Sequence, residues 1–193
     1  MRVIWAIILA AGESKRMKVP KMLLPFRGKT IIETVIDNVT NSQVTDTVVV
    51  LGSGVDDILK LVERLPVKHC YNQDFKQGML SSVQCGFRSI PSEADAILIF
   101  PGDLPKIEPG ITDFIINAYL KSGNGLVLPV YNGKRGHPLL IDKKYRKDID
   151  LLNADEGLRS LASRYADDVL EVDVKSPAVV NDIDTPEEYL SEI

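Results

Sequence analysis

Four cationic side chains crowd one short loop. Lys15, Arg16, Lys18 and Lys21 follow the most apolar run of the chain, within AIILAAGESKRMKVPKMLLPF from Ala6 to Phe26. Arginine offers a planar fork and lysine a point charge, and together they suit the oxygens of a polyphosphate. Ala10, Ala11 and Gly12 lack bulk, so a ligand can approach the backbone there and use its N–H groups. A merely solvated basic loop fits the same composition equally well, and solvation is the expectation for Lys15 and Lys18. Two phosphate motifs are excluded. Gly12 has no partner glycines for GxGxxG. Gly28-Lys29-Thr30 resembles the end of a P-loop, but Leu23 fills its first glycine position. That stretch reads instead as a turn at Gly28, a helix cap at Thr30 and a capping box closed by Glu33.

The carboxylates come next. IFPGDLP sets Asp103 just past an apolar run, in a turn framed by Gly102 and Pro105. A carboxylate there can hold Mg²⁺, a hard cation that takes oxygen ligands, or it can be an ordinary turn aspartate. In NDIDTPEEY, Thr185, Pro186 and Glu188 are explained as cap, first helical residue and capping-box partner. Asp182 and Asp184 are left over. Their alternation along an extended segment is expected to point them to opposite sides, with one of them meeting a metal.

Polar groups of a third kind lie in NQDFKQGMLSSVQCGF, which holds Asn72, Gly78, Ser81 and Ser82. Either serine is expected to N-cap the following helix, and short hydroxyls can also read the polar edge of a base. GKRGHPLLI carries Arg135, Gly136, His137 and Pro138, and NADEGLRSL carries Asp155, Gly157 and Arg159. Arg135 and Arg159 suit a phosphate on a second substrate. His69 reads as structural.

These groups need a scaffold. Strand-like runs are expected at Val3–Ala10, Thr47–Leu51, Val67–Tyr71, Ala96–Pro101, Leu126–Tyr131 and Val169–Val174. Helical patterns fall between them, near Ile31–Val39, Val55–Leu65, Ser81–Ser89, Ile111–Lys121, Lys144–Leu152 and Gly157–Tyr165. Runs apolar on both faces, alternating with amphipathic helices, describe an α/β fold: one doubly wound, mainly parallel sheet with helices on both faces. Ligands bind such sheets outside the carboxyl ends of the strands, where the cationic loop, Asp103 and the Asp182–Asp184 segment all fall.

With 193 residues the chain is expected to form a single domain over 1–193. A formal net charge of −4 excludes a surface built to wrap nucleic acid. The apolar run at Val3–Ala11 is too short to span a bilayer, and charge follows it where a signal cleavage site would fall. A buried first strand and a cytoplasmic protein are the expectation. Cys70 and Cys85 form no CxxC pair and are expected as buried free thiols in a reducing cytosol, not as a disulfide or a metal site.

LAAGESKRMKVPKMLLPF resembles the signature loop of the MobA-like nucleotidyltransferases, and is most similar to the molybdenum cofactor cytidylyltransferase branch. Met22 stands where isoprenoid cytidylyltransferases carry glutamine, and Lys18 where the family usually has glycine. PGDLP, the N…GMLSS pattern, RGHP and DIDTP match further segments in order, while NADEGLRSL resembles the family's acceptor loop less closely. The resemblance implies a nucleotide held by Leu9, Ala10, Ala11, Gly12, Arg16 and Lys21, with Asn72, Gly78, Ser81, Ser82, Pro101 and Gly102 around base and ribose. It implies Mg²⁺ or Mn²⁺ on Asp103 and Asp184, with Asp182 second. It places the acceptor at Arg135, Gly136, His137, Pro138, Asp155, Gly157 and Arg159.

The activity so implied is transfer of CMP from CTP to the terminal phosphate of a molybdopterin-type acceptor, with pyrophosphate released. Arg16, Lys21 and Asp103 would carry the catalysis. The rivals are guanylyl transfer to the same pterin and nucleotidyl transfer to a sugar phosphate. A non-catalytic nucleotide-binding factor that delivers cofactor to a client molybdoenzyme is the alternative outside enzymes.

Overall fold

β1 (Ile4–Ala10) is buried at all its positions, as a strand covered on both faces must be. It belongs to a computed structural model that describes residues 2–17, 19–153 and 156–193. The chain continues through a hairpin of β2 (Pro25–Phe26) and β3 (Lys29–Thr30) into α1 (Ile31–Thr40). Gly28 turns that hairpin at φ +85°, a conformation that favours glycine. Thr30 and Glu33 close the expected capping box on α1. Next come β4 (Asp46–Leu51), α2 (Val55–Val62), β5 (Lys68–Tyr71), α3 (Met79–Ser89), β6 (Ala96–Pro101) and α4 (Pro109–Ser122). The remainder is β7 (Leu126–Tyr131), β8 (Lys134–Arg135), β9 (Leu139–Asp142), α5 (Arg146–Leu151), α6 (Gly157–Arg164), β10 (Val169–Asp173) and α7 (Pro186–Leu190).

The strands order as β10-β7-β9-β6-β1-β4-β5, with β8 beside β7. β1 pairs parallel with β4 and β6, β4 with β5, and β7 with β10. β9 runs antiparallel between β6 and β7. Alternation along β1 divides the core. Ile4, Ala6, Ile8 and Ala10 pack toward α1, α2 and α4, and Trp5, Ile7 and Leu9 toward α3, α5 and α6. Gly86 lets α3 come close: a Cβ there would stand 2.8 Å from Ile7 Cγ2. The expected doubly wound, mainly parallel sheet is therefore present. No described helix is long and apolar enough to cross a membrane.

A small third cluster matters for the site. Ile183 packs on Phe26 and Ile31, and its N–H donates to the Asp103 carbonyl at 3.2 Å. Tyr189 donates its hydroxyl to the Pro25 carbonyl at 2.7 Å. The C-terminal tail is thereby pinned to the hairpin and to the turn after β6.

Candidate active site

Three carboxylates converge at the carboxyl end of the sheet. Asp103 stands two residues past β6, and Asp182 and Asp184 flank the buried Ile183. Oxygens of all three lie within 4.8 Å of one another. The expectation that Asp182 and Asp184 diverge is corrected here. Residues two apart on an extended segment share a face, and Ile183 between them takes the opposite one.

Lys21 closes the group. Its ammonium is 2.6 Å from Asp103 Oδ2 and 2.6 Å from Asp184 Oδ1, and the residue is only 7% exposed. A short 3-10 turn at Lys21–Leu23 carries it. Arg16, mostly exposed, pairs with the other oxygen of Asp184. Burial pulls the Lys21 ammonium down, but the Asp103 charge and hydrogen bond, joined by Asp184, outweigh it and hold its pKa above 10.5. Burial also works to raise Asp184, yet Lys21, with Asp182 and Arg16 behind it, carries that carboxyl below its ordinary 3.8. Asp182 moves the other way: burial, then the charges of Asp184 and Asp103, raise it.

Asp103 Oδ1 is buried without a hydrogen-bond partner among the described residues. An orphaned carboxylate oxygen beside two more carboxylates is an all-oxygen donor set, which fits a hard divalent cation that keeps several waters. Asp103 and Asp184, with Asp182 available, are the residues that would hold it.

Two clefts meet at Asp103. The first, about 360 Å³, is lined by Leu9, Ala11, Gly12, Arg16, Lys21, Gly78, Ser82, Pro101, Gly102 and Asp184 among the expected residues. Glu13, Lys15, Phe75 and Met79 also line it, and the sequence reading assigned none of them to the site. Met79 is a large apolar side chain left 55% exposed at the start of α3, a property visible only in the folded chain. Ala10 is wholly buried within β1 and lines neither of the two clefts that meet at Asp103. Lys15 is mostly exposed and pairs with Glu13 at 3.0 Å. Lys18 lies outside the described residues.

Asn72 stands behind this cleft. Its side-chain amide donates to Ser81 Oγ at 2.9 Å and to Ser82 Oγ at 3.0 Å. Neither serine caps α3. The N-cap is Gly78 at φ +98°, and both hydroxyls sit within the first turns of the helix. Gly52 lets the loop after β4 press on the first loop, for a Cβ there would be 2.8 Å from the Ala11 carbonyl oxygen.

The second cleft, about 270 Å³, lies between Asp103, Asp182, Lys134, Arg135, Gly136 and His137. It shares Met79, Pro101 and Asp103 with the first. Arg135 is held by Glu171 at 2.7 Å. Burial lowers the His137 pKa below 6.5 against the opposing pull of Asp103, and Arg159 adds to the lowering. The imidazole is therefore neutral near pH 7. Pro138 is buried behind it, and Gly157 and Arg159 sit at and near the start of α6, bordering neither cleft. Asp155 lies outside the described residues.

Known proteins share this arrangement of strands and loops. Residues 6–169 match the MobA-like NTP transferase domain. The molybdenum cofactor cytidylyltransferase of Escherichia coli is 28% identical, covering 99% of this chain and 96% of that protein. A protein of Paenarthrobacter nicotinovorans named nicotine blue oxidoreductase is 26% identical over 94% of this chain and 92% of its own. The crystal structure of Rv0371c from Mycobacterium tuberculosis in complex with manganese shares the fold, with a TM-score of 0.83, 22% identity and coverage of 98% and 97%. The chain belongs to the MobA-like NTP transferase family and is a nucleotidyltransferase.

Proposed function

We propose that the protein transfers CMP from CTP to the terminal phosphate of a molybdopterin-type acceptor and releases pyrophosphate. The observation that carries this reading is the junction at Asp103, where a cleft bearing Lys21 and Arg16 meets one bearing Arg135 and His137. Two anionic substrates placed in those clefts would face each other across one carboxylate. The whole-length similarity to a cytidylyltransferase supports the choice of nucleotide and acceptor.

The acceptor phosphate is already ionised, so it needs positioning more than activation. Its oxygen attacks the α-phosphorus of CTP in line, and the bond to pyrophosphate breaks. Arg16 and Lys21 receive the charge that builds on the leaving pyrophosphate. Lys21 stays protonated throughout, since its carboxylate partners hold its pKa above the ordinary value. Asp103 and Asp184 would hold a divalent cation, which would supply Lewis-acid polarisation of the phosphoryl oxygens. Arg135 anchors the acceptor's phosphate, and neutral His137 donates or accepts a hydrogen bond without adding charge.

Pyrophosphate release is the test, with molybdopterin as acceptor, Mg²⁺ present and CTP, GTP, ATP and UTP compared. Fastest turnover with CTP is expected. Faster turnover with GTP overturns the cytidylyl assignment. Release of no pyrophosphate from any nucleotide overturns the acceptor.

A further inference from the structure

We propose that Cys70 and Cys85 form a reversible disulfide that weakens nucleotide binding from behind the base-facing segment. The effect on the nucleotide rests on the function proposed above, whereas formation of the disulfide does not. The two sulfurs are 3.5 Å apart, one on the edge strand β5 and the other on α3. Both thiols are only partly buried, contrary to the expectation of buried cysteines. A cavity of about 390 Å³ opens beside them, bordered by Asn72, Ser81, Gln84 and Arg88. A small hydroperoxide can therefore reach the pair.

The chemistry divides between the two sulfurs. Burial, followed by the contact with Cys70, pushes the Cys85 thiol up to about 12, which disfavours Cys85 as the sulfur that attacks first. The Cys70 thiolate attacks one peroxide oxygen, the O–O bond breaks, and hydroxide leaves to be protonated by solvent. This gives a sulfenic acid at Cys70. Cys85 then gives up its proton and attacks the sulfenic sulfur; the S–S bond forms and water departs. Two thiols are oxidised and one hydroperoxide is reduced; hydrogen peroxide yields two waters.

Closing the bond draws the sulfurs from 3.5 Å to a separation of about 2.05 Å. Cys70 precedes Asn72 by two residues on the same extended segment. Cys85 follows Ser81 and Ser82 by one helical turn, on their face of α3. The movement therefore acts on both sides of the network in which Asn72 holds the two serines. Ser82, Gly78 and Met79 line the first cleft. Loss of about 1.4 kcal/mol of contact there would weaken nucleotide binding about tenfold.

The protein would be treated with hydrogen peroxide and mapped by mass spectrometry without reduction. A linked pair of peptides containing Cys70 and Cys85, two hydrogens lighter than their sum and separated again by dithiothreitol, is expected. Calorimetry with CTP should show about tenfold weaker binding by the oxidised protein, restored by dithiothreitol. The Cys70→Ser/Cys85→Ser double variant should bind CTP like the reduced protein, with or without peroxide. Unlinked cysteines after oxidation overturn the inference, as does linked protein that binds CTP as tightly as reduced protein. If neither redox form binds CTP, the nucleotide reading fails, and the peptide map alone still decides the disulfide.

Discussion

Lys21 and Asp103 hold each other by a 2.6 Å charged hydrogen bond, while the second oxygen of that same carboxylate is buried with no partner among the described residues. The lysine thus occupies one side of the carboxylate cluster and leaves the other side open. Two electrostatic demands compete for one group of oxygens.

That competition predicts how a metal binds. Lys21→Met removes the internal cation, so Mn²⁺ should bind the nucleotide-free variant more tightly than it binds the wild type. Roughly tenfold is expected, the equivalent of about 1.4 kcal/mol. Titration followed by electron paramagnetic resonance reads it directly. Equal or weaker Mn²⁺ binding would show that the lysine does not compete for the site.

The loop cations should separate in turnover. Lys21→Ala removes a preorganised charge from the leaving pyrophosphate, and the expected loss is on the order of 10²-fold in rate. Lys15→Ala should change little, because its partner is the neighbouring Glu13 and it faces solvent. Rates of the two variants at saturating nucleotide decide the matter, and similar rates place the phosphates elsewhere.

Among the carboxylates, Asp103→Asn is expected to be the most damaging, with a loss of roughly 10²-fold or more in rate. It lowers the charge of the group that borders both clefts. Asp184→Asn should be milder, because an amide oxygen still ligates a hard cation. Asp182→Asn should be mildest in rate. Rates measured over a range of Mg²⁺ concentrations would rank the three, and a wild-type rate for Asp103→Asn would remove the metal site.

His137 gives a pH prediction. Its folded pKa is depressed by burial, so the unfolded chain binds a proton that the folded site resists. The associated stability is fully present above pH 6.5 and is lost as pH falls through the lower folded pKa. His137→Gln should lose less stability than the wild type over that acidic range. Thermal unfolding at a series of pH values compares them, and parallel curves would contradict the prediction.

Gly136 has no room for a side chain, because a Cβ there would lie 2.2 Å from the Val179 carbonyl oxygen. Gly136→Ala must move backbone and should disturb the second cleft before the first. KM for the acceptor is expected to rise about tenfold or more while that for the nucleotide changes little. A rise confined to the nucleotide KM would reverse the assignment of the clefts.

Much of the scaffold was legible because its strands are buried on both faces. Runs such as AIILA and ILIF have no other comfortable place than the middle of such a sheet. The capping boxes at Thr30 and Thr185 were readable for a similar reason, since each satisfies named backbone donors. β9 was not read as a strand, because Leu139–Asp142 is only four residues long. Its direction had a signal, however. The connection from Tyr131 to Leu139 is too short for the crossover that a parallel neighbour needs. Ser81 and Ser82 misled as caps because Gly78, three residues earlier, begins the helix with a positive φ. Asp182 was ranked second to Asp184 because faces were counted wrongly along an extended segment. The convergence of Lys21 with Asp103 and Asp184 could not be read locally, since it joins residues far apart in the chain.

The reversed strand β9 decides which side of the site is stiff. Its ladder is shared with β6, the strand that leads into Asp103, in register from Ala96–Asp142 to Ile99–Leu139. His137, just before β9, is tied by its N–H to the Val179 carbonyl at 2.8 Å, and Gly136 to the Pro129 carbonyl at 2.8 Å. The turn that borders the second cleft is therefore an anvil, fixed to β7 and to the segment at Val179. The cationic loop after β1 carries Arg16 mostly in solvent, with its guanidinium attached to Asp184 alone among the described carboxylates. On the function proposed above, Arg16 would exchange Asp184 for a phosphate oxygen, while Lys21, buried between Asp103 and Asp184, and the turn before β9 would keep their places.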